Sequence, residues 1–146
     1  MRAEERILFH LQEAKRHEER IRELLPGLED LVLKSFHTLS VEEKNRLDAL
    51  VFRFIKLQDL MGSRIFREYL ECVHYPVEGK DFLELLRELE KEGILTIDEW
   101  GEFRALRNAI AHDYPYEEQE RSETVAYLIE HIQKLIEIVH RIKERL

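Results

Sequence analysis

Residues 96–115 of the chain, TIDEWGEFRALRNAIAHDYP, contain the start, both faces and the end of one predicted helix. Thr96 and Glu99 have the spacing of a capping box, in which a hydroxyl and a carboxylate bind free N–H groups at the start of a helix. Pro115 cannot continue a helix and disfavours helical geometry in the residue before it. The stretch therefore predicts a helix, the motif helix, from about residue 97 to about residue 112.

The motif helix is predicted to have an apolar and a polar face. At about 100° per residue, one arc collects Trp100, Phe103, Leu106, Ala109 and Ile110. The opposite face carries Arg104, Asn108 and His112, with Arg107 at its shoulder. Arg107 and His112 are about 140° apart around the axis. They can therefore reach one ligand only through the length of arginine, or through a second copy of the helix across a two-fold axis.

Apolar residues recur at helical spacing along the rest of the chain as well. Ser40 and Glu43 form a second predicted capping box, and Asp81 is a candidate N-cap. No internal repeat and no strand-like alternation is present, so the sequence predicts an all-α, up-and-down bundle of four main helices plus a short extra helix. We expect a single domain, 1–146, whose other helical segments cover about residues 2–25, 28–39, 41–73, 82–92 and 117–145.

Composition excludes several classes of protein. The 146-residue chain has a formal net charge of −8, so any RNA site must be a local basic patch. The single cysteine, Cys72, can form no disulfide within the chain and is expected to be at least half-buried. The sequence has no glycine-rich phosphate loop and no nucleophile elbow. Because no apolar run matches a signal sequence or a membrane span, we expect a cytoplasmic protein without a membrane partner.

Two histidines of the first predicted helix are candidate metal ligands. His10 and His17 lie about two turns apart. No histidine, cysteine or carboxylate set of recognised metal spacing surrounds them, so they are interpreted as surface or boundary residues. The sequence predicts no metal and no cofactor.

A basic stripe lies on the predicted helix 41–73. Its members project within about 80° of one another on a helical wheel, whereas Asp48 and Asp59 project elsewhere. We interpret it as a path for an RNA backbone, which Arg104 of the motif helix would extend, or as a surface for an acidic partner. An ordinary solvated face fits the same pattern. The residues are Arg46, Arg53, Lys56, Arg64 and Arg67. Gly62, on the same segment, predicts a kink or a close helix crossing.

Arg107 and His112 are the residue types that metal-independent RNA cleavage requires. A guanidinium group binds phosphate oxygens, and histidine exchanges a proton near neutral pH. Cleavage needs stabilisation of a phosphorane-like transition state and proton transfer from the 2′-hydroxyl and to the leaving 5′-oxygen. Asn108, one turn before His112, is placed to orient the imidazole. Arginine and histidine near a helix end are also common as surface residues, so spacing alone leaves the role open.

The string Arg107-Asn108-x-x-x-His112-x-Tyr114 resembles the R-x4-H-x-Y motif of HEPN-domain proteins, in particular the HepT-like toxins that pair with minimal nucleotidyltransferases. The predicted helical layout is similar to that family over nearly all of the chain. The resemblance implies that Arg107 and His112 are the ribonuclease pair, with Asn108 as a supporting residue. It also implies that the partner nucleotidyltransferase, the antitoxin, attaches AMP to Tyr114, and that two copies form a homodimer whose motifs share a cleft.

Three functions remain open from the sequence. The chain is predicted to be a metal-independent endoribonuclease toxin of a HEPN and minimal nucleotidyltransferase pair, acting on RNA. The alternative is a non-catalytic subunit that binds a nucleotide or a substrate for a nucleotidyltransferase, with Arg107 and His112 holding a phosphate. In the third, the motif only joins two copies at a dimer interface, where Ala109 and Ala111 leave room for a second helix.

Overall fold

Helices make up the architecture of the described chain. The computed structural model describes residues 1–113 and 118–146, without the side chains of residues 113, 118 and 119. A 3₁₀ turn, Phe36–Thr38, and a π-helical turn, Met61–Ile65, accompany the α-helices. The described α-helices are α1 (Ala3–Leu24), α2 (Leu28–Val32), α3 (Val41–Leu60), α4 (Phe66–Cys72), α5 (Phe82–Lys91), α6 (Ile97–Asp113) and α7 (Glu118–Glu144). The predicted all-α fold class is confirmed.

Side-chain caps fix the starts of three helices. The Ser40 hydroxyl accepts the Glu43 N–H at 3.1 Å, and the Glu43 carboxylate accepts the Ser40 N–H at 2.9 Å. This is the capping box predicted for α3. Asp81 and Thr96 each accept the backbone N–H of the residue three positions later, at 2.9 and 3.1 Å. These local bonds explain why α3, α5 and α6 begin where the sequence predicts.

The segment predicted as a helix over about residues 28–39 is interrupted. α2 ends at Val32, and Ser35 is extended, with ψ of 134°, before the 3₁₀ turn. Leu33 is 85% exposed, so a longer helix here would bury little additional apolar surface. Among the helices of the described residues, α2 and α5 are therefore short additions to the longer segments.

α1 is antiparallel to the continuous helical segment formed by α3, the π-helical turn and α4. Near the start of α1, His10 Nδ1 lies 2.7 Å from the Glu68 carboxylate. At its middle, His17 Nδ1 lies 3.1 Å from Arg53 Nη1. Because the partner residue number falls as α1 advances, the two segments run in opposite directions.

α7 runs antiparallel to α6. Tyr127, early in α7, donates a 3.2 Å hydrogen bond to Glu102 of α6. Arg141, late in α7, donates a 2.9 Å bond to the Ile94 carbonyl, just before α6. α1, α3 with α4, α6 and α7 thus form the four long segments of the bundle, as predicted.

The crossing between α6 and the π-helical turn is close. Trp100 is 1% exposed, and its ring lies edge-on to Phe66 with centroids 4.7 Å apart. A Cβ atom at Gly62 would lie 3.1 Å from Trp100 Cζ2. Because Gly62 has no side chain, α6 can approach the π-helical turn closely. The sequence predicts either such a close crossing or a kink at this position.

One residue of the predicted apolar arc of the motif helix lies at the surface. Ala109 is exposed, whereas Trp100, Phe103, Leu106 and Ile110 of that arc are buried. The core-facing arc of α6 is therefore narrower than the wheel predicts. None of the helices described here has an apolar stretch long enough to cross a bilayer.

Candidate functional site

An open groove of about 570 Å³ lies where the end of α3 and the π-helical turn face the start of α5 and the middle of α6. It is the place where part of the predicted motif meets residues from other helices. Its lining combines two cationic side chains, one carboxylate, two carboxamides and two aromatic rings. The lining residues are Gln58, Asp59, Gly62, Ser63, Phe82, Trp100, Arg104, Arg107 and Asn108.

Arg107 is held in this groove by Asp59. Its Nε and Nη2 atoms donate to the two carboxylate oxygens at 2.8 and 2.9 Å, a bidentate pair. The hydrogen bonds to Asp59 raise the pKa of the Arg107 guanidinium above its ordinary value. Nη1 makes no hydrogen bond to a residue that the structure describes. The guanidinium is thus fixed by one edge and keeps donors for an anion.

Two other predicted residues line the same groove. Arg104 and Asn108 lie one turn before and one residue after Arg107 on α6, and both are exposed. The guanidinium carbon of Arg104 lies 5.8 Å from the centre of the Phe82 ring, a cation–π contact. Positive charge, a carboxamide and an aromatic surface therefore meet at one place.

His112 lies away from these groups. It is exposed near the end of α6 and does not line the groove. Residues five positions apart on a helix point in directions about 140° apart around its axis. This angle explains why His112 lies away from Arg107, as the sequence predicts. Tyr114, the predicted modification site, lies outside the described residues. One chain therefore brings together Arg104, Arg107 and Asn108, but not His112.

The floor of the groove contains residues that sequence reasoning missed. Trp100 is 1% exposed and Gln58 is 5% exposed. The indole Nε1 of Trp100 is buried without a hydrogen-bond partner among the described residues. In the sequence, Trp100 belongs to the predicted apolar arc and Gln58 belongs to no motif. No local signal therefore marks either residue as part of a groove.

Asp59 was also missed as a partner of Arg107. The helical wheel projects it away from the basic stripe, but the wheel does not show which helix faces it. Asp59 lies one residue before the end of α3, and the chain then enters the π-helical turn. A π-helical turn changes the rotation of the residues beside it and is frequent at functional sites.

Two members of the basic stripe bind backbone carbonyl groups. Arg46 donates to the carbonyls of Leu24 and Pro26 at 3.1 and 2.7 Å, so it binds the end of α1. Arg67 donates to the Val77 carbonyl at 3.1 Å, in the loop before α5. These contacts give both arginines a structural role. Their predicted role in RNA binding stays a prediction.

Two other members of the stripe surround an exposed ring. Arg53 and Lys56 each lie 5.5 Å from the centre of the Phe52 ring, and Phe52 is 51% exposed. Arg53 also contacts His17, whose pKa is lowered by burial and by the charge of Arg53. Arg64 is exposed. The residues of the basic stripe therefore contact different groups at separate places along the helix.

The histidines of α1 are bound within the fold. His10 pairs with Glu68, which is 5% exposed, and His17 pairs with Arg53. Across residues 1–113 and 118–146, no group of three or more histidine, cysteine, aspartate and glutamate side chains is arranged to hold a metal ion. Burial raises the pKa of the Cys72 thiol, which disfavours the reactive thiolate.

No family model matches the chain, and neither the curated proteins nor the solved structures contain a match to it. The resemblance to HEPN proteins therefore rests on the motif and on the predicted helical layout. The geometry of the groove is the independent basis for a functional proposal.

Proposed function

We propose that the chain is a metal-independent endoribonuclease of the HEPN type, the toxin of a pair with a minimal nucleotidyltransferase. The observation that supports this proposal best is the bidentate pair between Arg107 and Asp59 in an open groove that also contains Arg104 and Asn108. An arginine fixed by one edge, with donors left for a ligand, suits recognition of a phosphate. In a chain of net charge −8, RNA would bind where Arg104 and Arg107 supply local positive charge.

In the proposed reaction, Arg107 binds the scissile phosphate and stabilises charge on its oxygens in the transition state. The 2′-oxygen of the RNA attacks phosphorus as the bond to the 5′-oxygen breaks. His112 acts as general base or general acid for the protons that leave the 2′-hydroxyl and reach the 5′-oxygen. Asn108 orients the imidazole or a phosphate oxygen. The products are a 2′,3′-cyclic phosphate and a 5′-hydroxyl.

We further propose that the active unit is a homodimer. Arg107 lies in the groove and His112 lies outside it, so one chain does not bring the two side chains to one phosphate. A two-fold axis near the end of α6 would return a second His112 and a second Arg107 to the same region. The exposed Ala109 and Ala111 would allow another helix to approach closely there.

Control by the partner enzyme is the remaining part of this proposal. The nucleotidyltransferase would attach AMP to Tyr114, two residues after His112. The added phosphate carries negative charge and the nucleoside adds bulk, so both would oppose entry of RNA.

A second candidate function is a non-catalytic subunit that binds a nucleotide or a substrate for a nucleotidyltransferase. The position of His112 outside the groove favours it, because Arg107, Arg104 and Asn108 could hold a phosphate without a nearby proton donor. In that case the groove binds its ligand and breaks no bond.

The test is cleavage of end-labelled RNA by the purified protein in EDTA, beside Arg107→Ala and His112→Ala. A matched control is Arg87→Ala, which removes an exposed arginine from α5. We expect cyclic-phosphate ends from the wild type and from the control, and loss of cleavage in both motif variants with unchanged melting temperatures. Cleavage that persists in either motif variant would contradict the proposed roles.

Intact mass tests the modification. Incubation with the cognate nucleotidyltransferase and ATP should add one or more AMP groups to the wild type and to Tyr116→Phe, but none to Tyr114→Phe. An adduct that remains in Tyr114→Phe rules out Tyr114 as the acceptor. A protein that is unmodified by mass and binds RNA without cleaving it would favour the non-catalytic subunit.

A further inference from the structure

The floor of the groove contains a polar side chain whose hydrogen-bonding groups are unused. Gln58 is 5% exposed, lines the groove, and makes no side-chain hydrogen bond within the described part of the chain. Its amide atoms are not among the fully enclosed side-chain atoms that lack a partner, so they reach solvent in the groove. The carboxamide of Gln58 is therefore available to a ligand in the groove, to which it offers one acceptor and two donors.

The wall beside Gln58 is aromatic. Phe82 lines the groove, and the Arg104 guanidinium lies 5.8 Å from the centre of its ring. Trp100, in the floor, is 1% exposed and offers almost no ring surface. Unpaired bases of RNA stack on aromatic rings and on the plane of an arginine guanidinium. A flat, partly apolar ligand with a polar edge matches this wall, and a nucleobase is such a ligand.

Gln58 is also next to the proposed phosphate site. It precedes Asp59, the residue that holds Arg107, and all three line the same groove. The volume of about 570 Å³ is in the range of small-ligand sites. The groove can therefore receive a base beside the phosphate that Arg107 would bind.

We propose that this groove binds one unpaired nucleobase of the RNA beside the scissile phosphate, and that Gln58 selects the base through its edge. Adenine is the expected base, because a glutamine carboxamide pairs with its amino group and neighbouring ring nitrogen. Arg104 and Phe82 stack against the ring and contribute affinity for any base. This inference rests on the proposed ribonuclease function and adds a base preference to it.

The experiment maps cleavage sites in a pool of random-sequence, single-stranded RNA. It compares the wild type with Gln58→Leu, which keeps most of the packing volume, and with Gln12→Leu, which changes an exposed glutamine on α1. We expect adenine to be enriched about tenfold at one position beside the cut for the wild type and for Gln12→Leu. Gln58→Leu should still cleave RNA but should lose that enrichment.

A second variant, Gln58→Met, protects the test against misfolding of the first. Methionine has nearly the length of glutamine and no charge, but it lacks the amide, so the preference for adenine should fall here too. Thermal melting checks that the variants are folded.

The outcomes separate this inference from the proposed function. Cleavage by the wild type without a base preference, or with a preference that both Gln58 variants retain, overturns the role of Gln58 and leaves the ribonuclease in place. No cleavage by wild-type protein that is unmodified by mass removes the ribonuclease, and the base selection with it.

Discussion

Asp59 and Arg107, 48 positions apart in sequence, form two parallel hydrogen bonds of 2.8 and 2.9 Å across the groove between α3 and α6. The side chain of Asp59 is 44% exposed, so solvent screens the pair. Its main effect is therefore on geometry, because it orients the guanidinium toward the groove.

Replacement of Asp59 tests that positioning role. Asp59→Asn keeps the shape but can accept only at one atom, so Arg107 should lose its fixed orientation. We expect the unfolding free energy to change by less than about 1 kcal/mol. The value of kcat/KM for RNA cleavage should fall by about tenfold or more. Urea denaturation and cleavage kinetics measure the two effects.

Asp48→Asn is the control for that prediction, since it removes an exposed carboxylate from the same helix. Cleavage faster in Asp59→Asn than in the wild type would show that the carboxylate competes with the RNA phosphate, contrary to a positioning role.

Replacement of glycine by alanine should have opposite effects on stability at Gly62 and at Gly101. Gly62→Ala places a methyl group 3.1 Å from Trp100 Cζ2, and this ring is packed against Phe66 and is 1% exposed. We expect a net loss of about 1 kcal/mol, because overpacking outweighs the gain in helix propensity. Gly101→Ala meets no atom within 4 Å and should stabilise the protein by about 0.5–1 kcal/mol. Urea denaturation of both variants measures the difference, and equal stabilisation would refute the close crossing.

The pair of His17 and Arg53 predicts a loss of stability in mild acid. Burial is the first cause of the lowered pKa of His17, and the charge of Arg53 is the second. Glu13 raises the pKa by less than these two lower it, and the more weakly acting Arg16 and Lys56 lower it further. The unfolded state binds the proton of His17 more tightly than the folded state does. The stability that depends on a neutral His17 is therefore fully present above a pH of about 6.5, and it is lost as the pH falls below that value.

Thermal melting between about pH 7.5 and pH 5.5 checks this sign. The melting temperature of the wild type should fall more steeply than that of His17→Gln, which keeps an acceptor for Arg53 but does not titrate. Parallel curves for the two proteins would exclude a contribution from His17.

Charge reversal tests Lys56 and Arg64, exposed cations of the basic stripe for which the described residues provide no backbone hydrogen-bond acceptor. Lys56→Glu combined with Arg64→Glu should weaken RNA binding and lower the slope of log affinity against log salt by about one to two units. Fluorescence anisotropy over a salt series gives both quantities. Lys91→Glu with Lys134→Glu is the matched control, because it makes the same charge change at exposed positions outside α3 and α4. The same loss in both double variants would mean that only net charge matters.

The helices themselves were predictable because their signals are local. The Ser40 and Glu43 capping box, the Asp81 cap and the proline after the motif helix each act within a few residues. Apolar residues at helical spacing then identified most of the core, and the Gly62 position indicated a close crossing. Arg104, Arg107 and Asn108 could be predicted to share a face because they lie within about one helical turn.

The composition of the candidate groove depends on tertiary structure. Asp59 reaches Arg107, and Gln58 and Trp100 form the floor, only because α3 and α6 pack with one particular rotation about a π-helical turn. Arg46 and Arg67 look like the other members of the stripe in sequence, yet they bind carbonyls of distant segments. The sequence by itself determined which segments are helical and which face of each is apolar, since backbone hydrogen bonding and helical periodicity are local. Only the tertiary structure decided which polar side chains meet, because that depends on how the helices rotate and cross when their apolar faces are buried together.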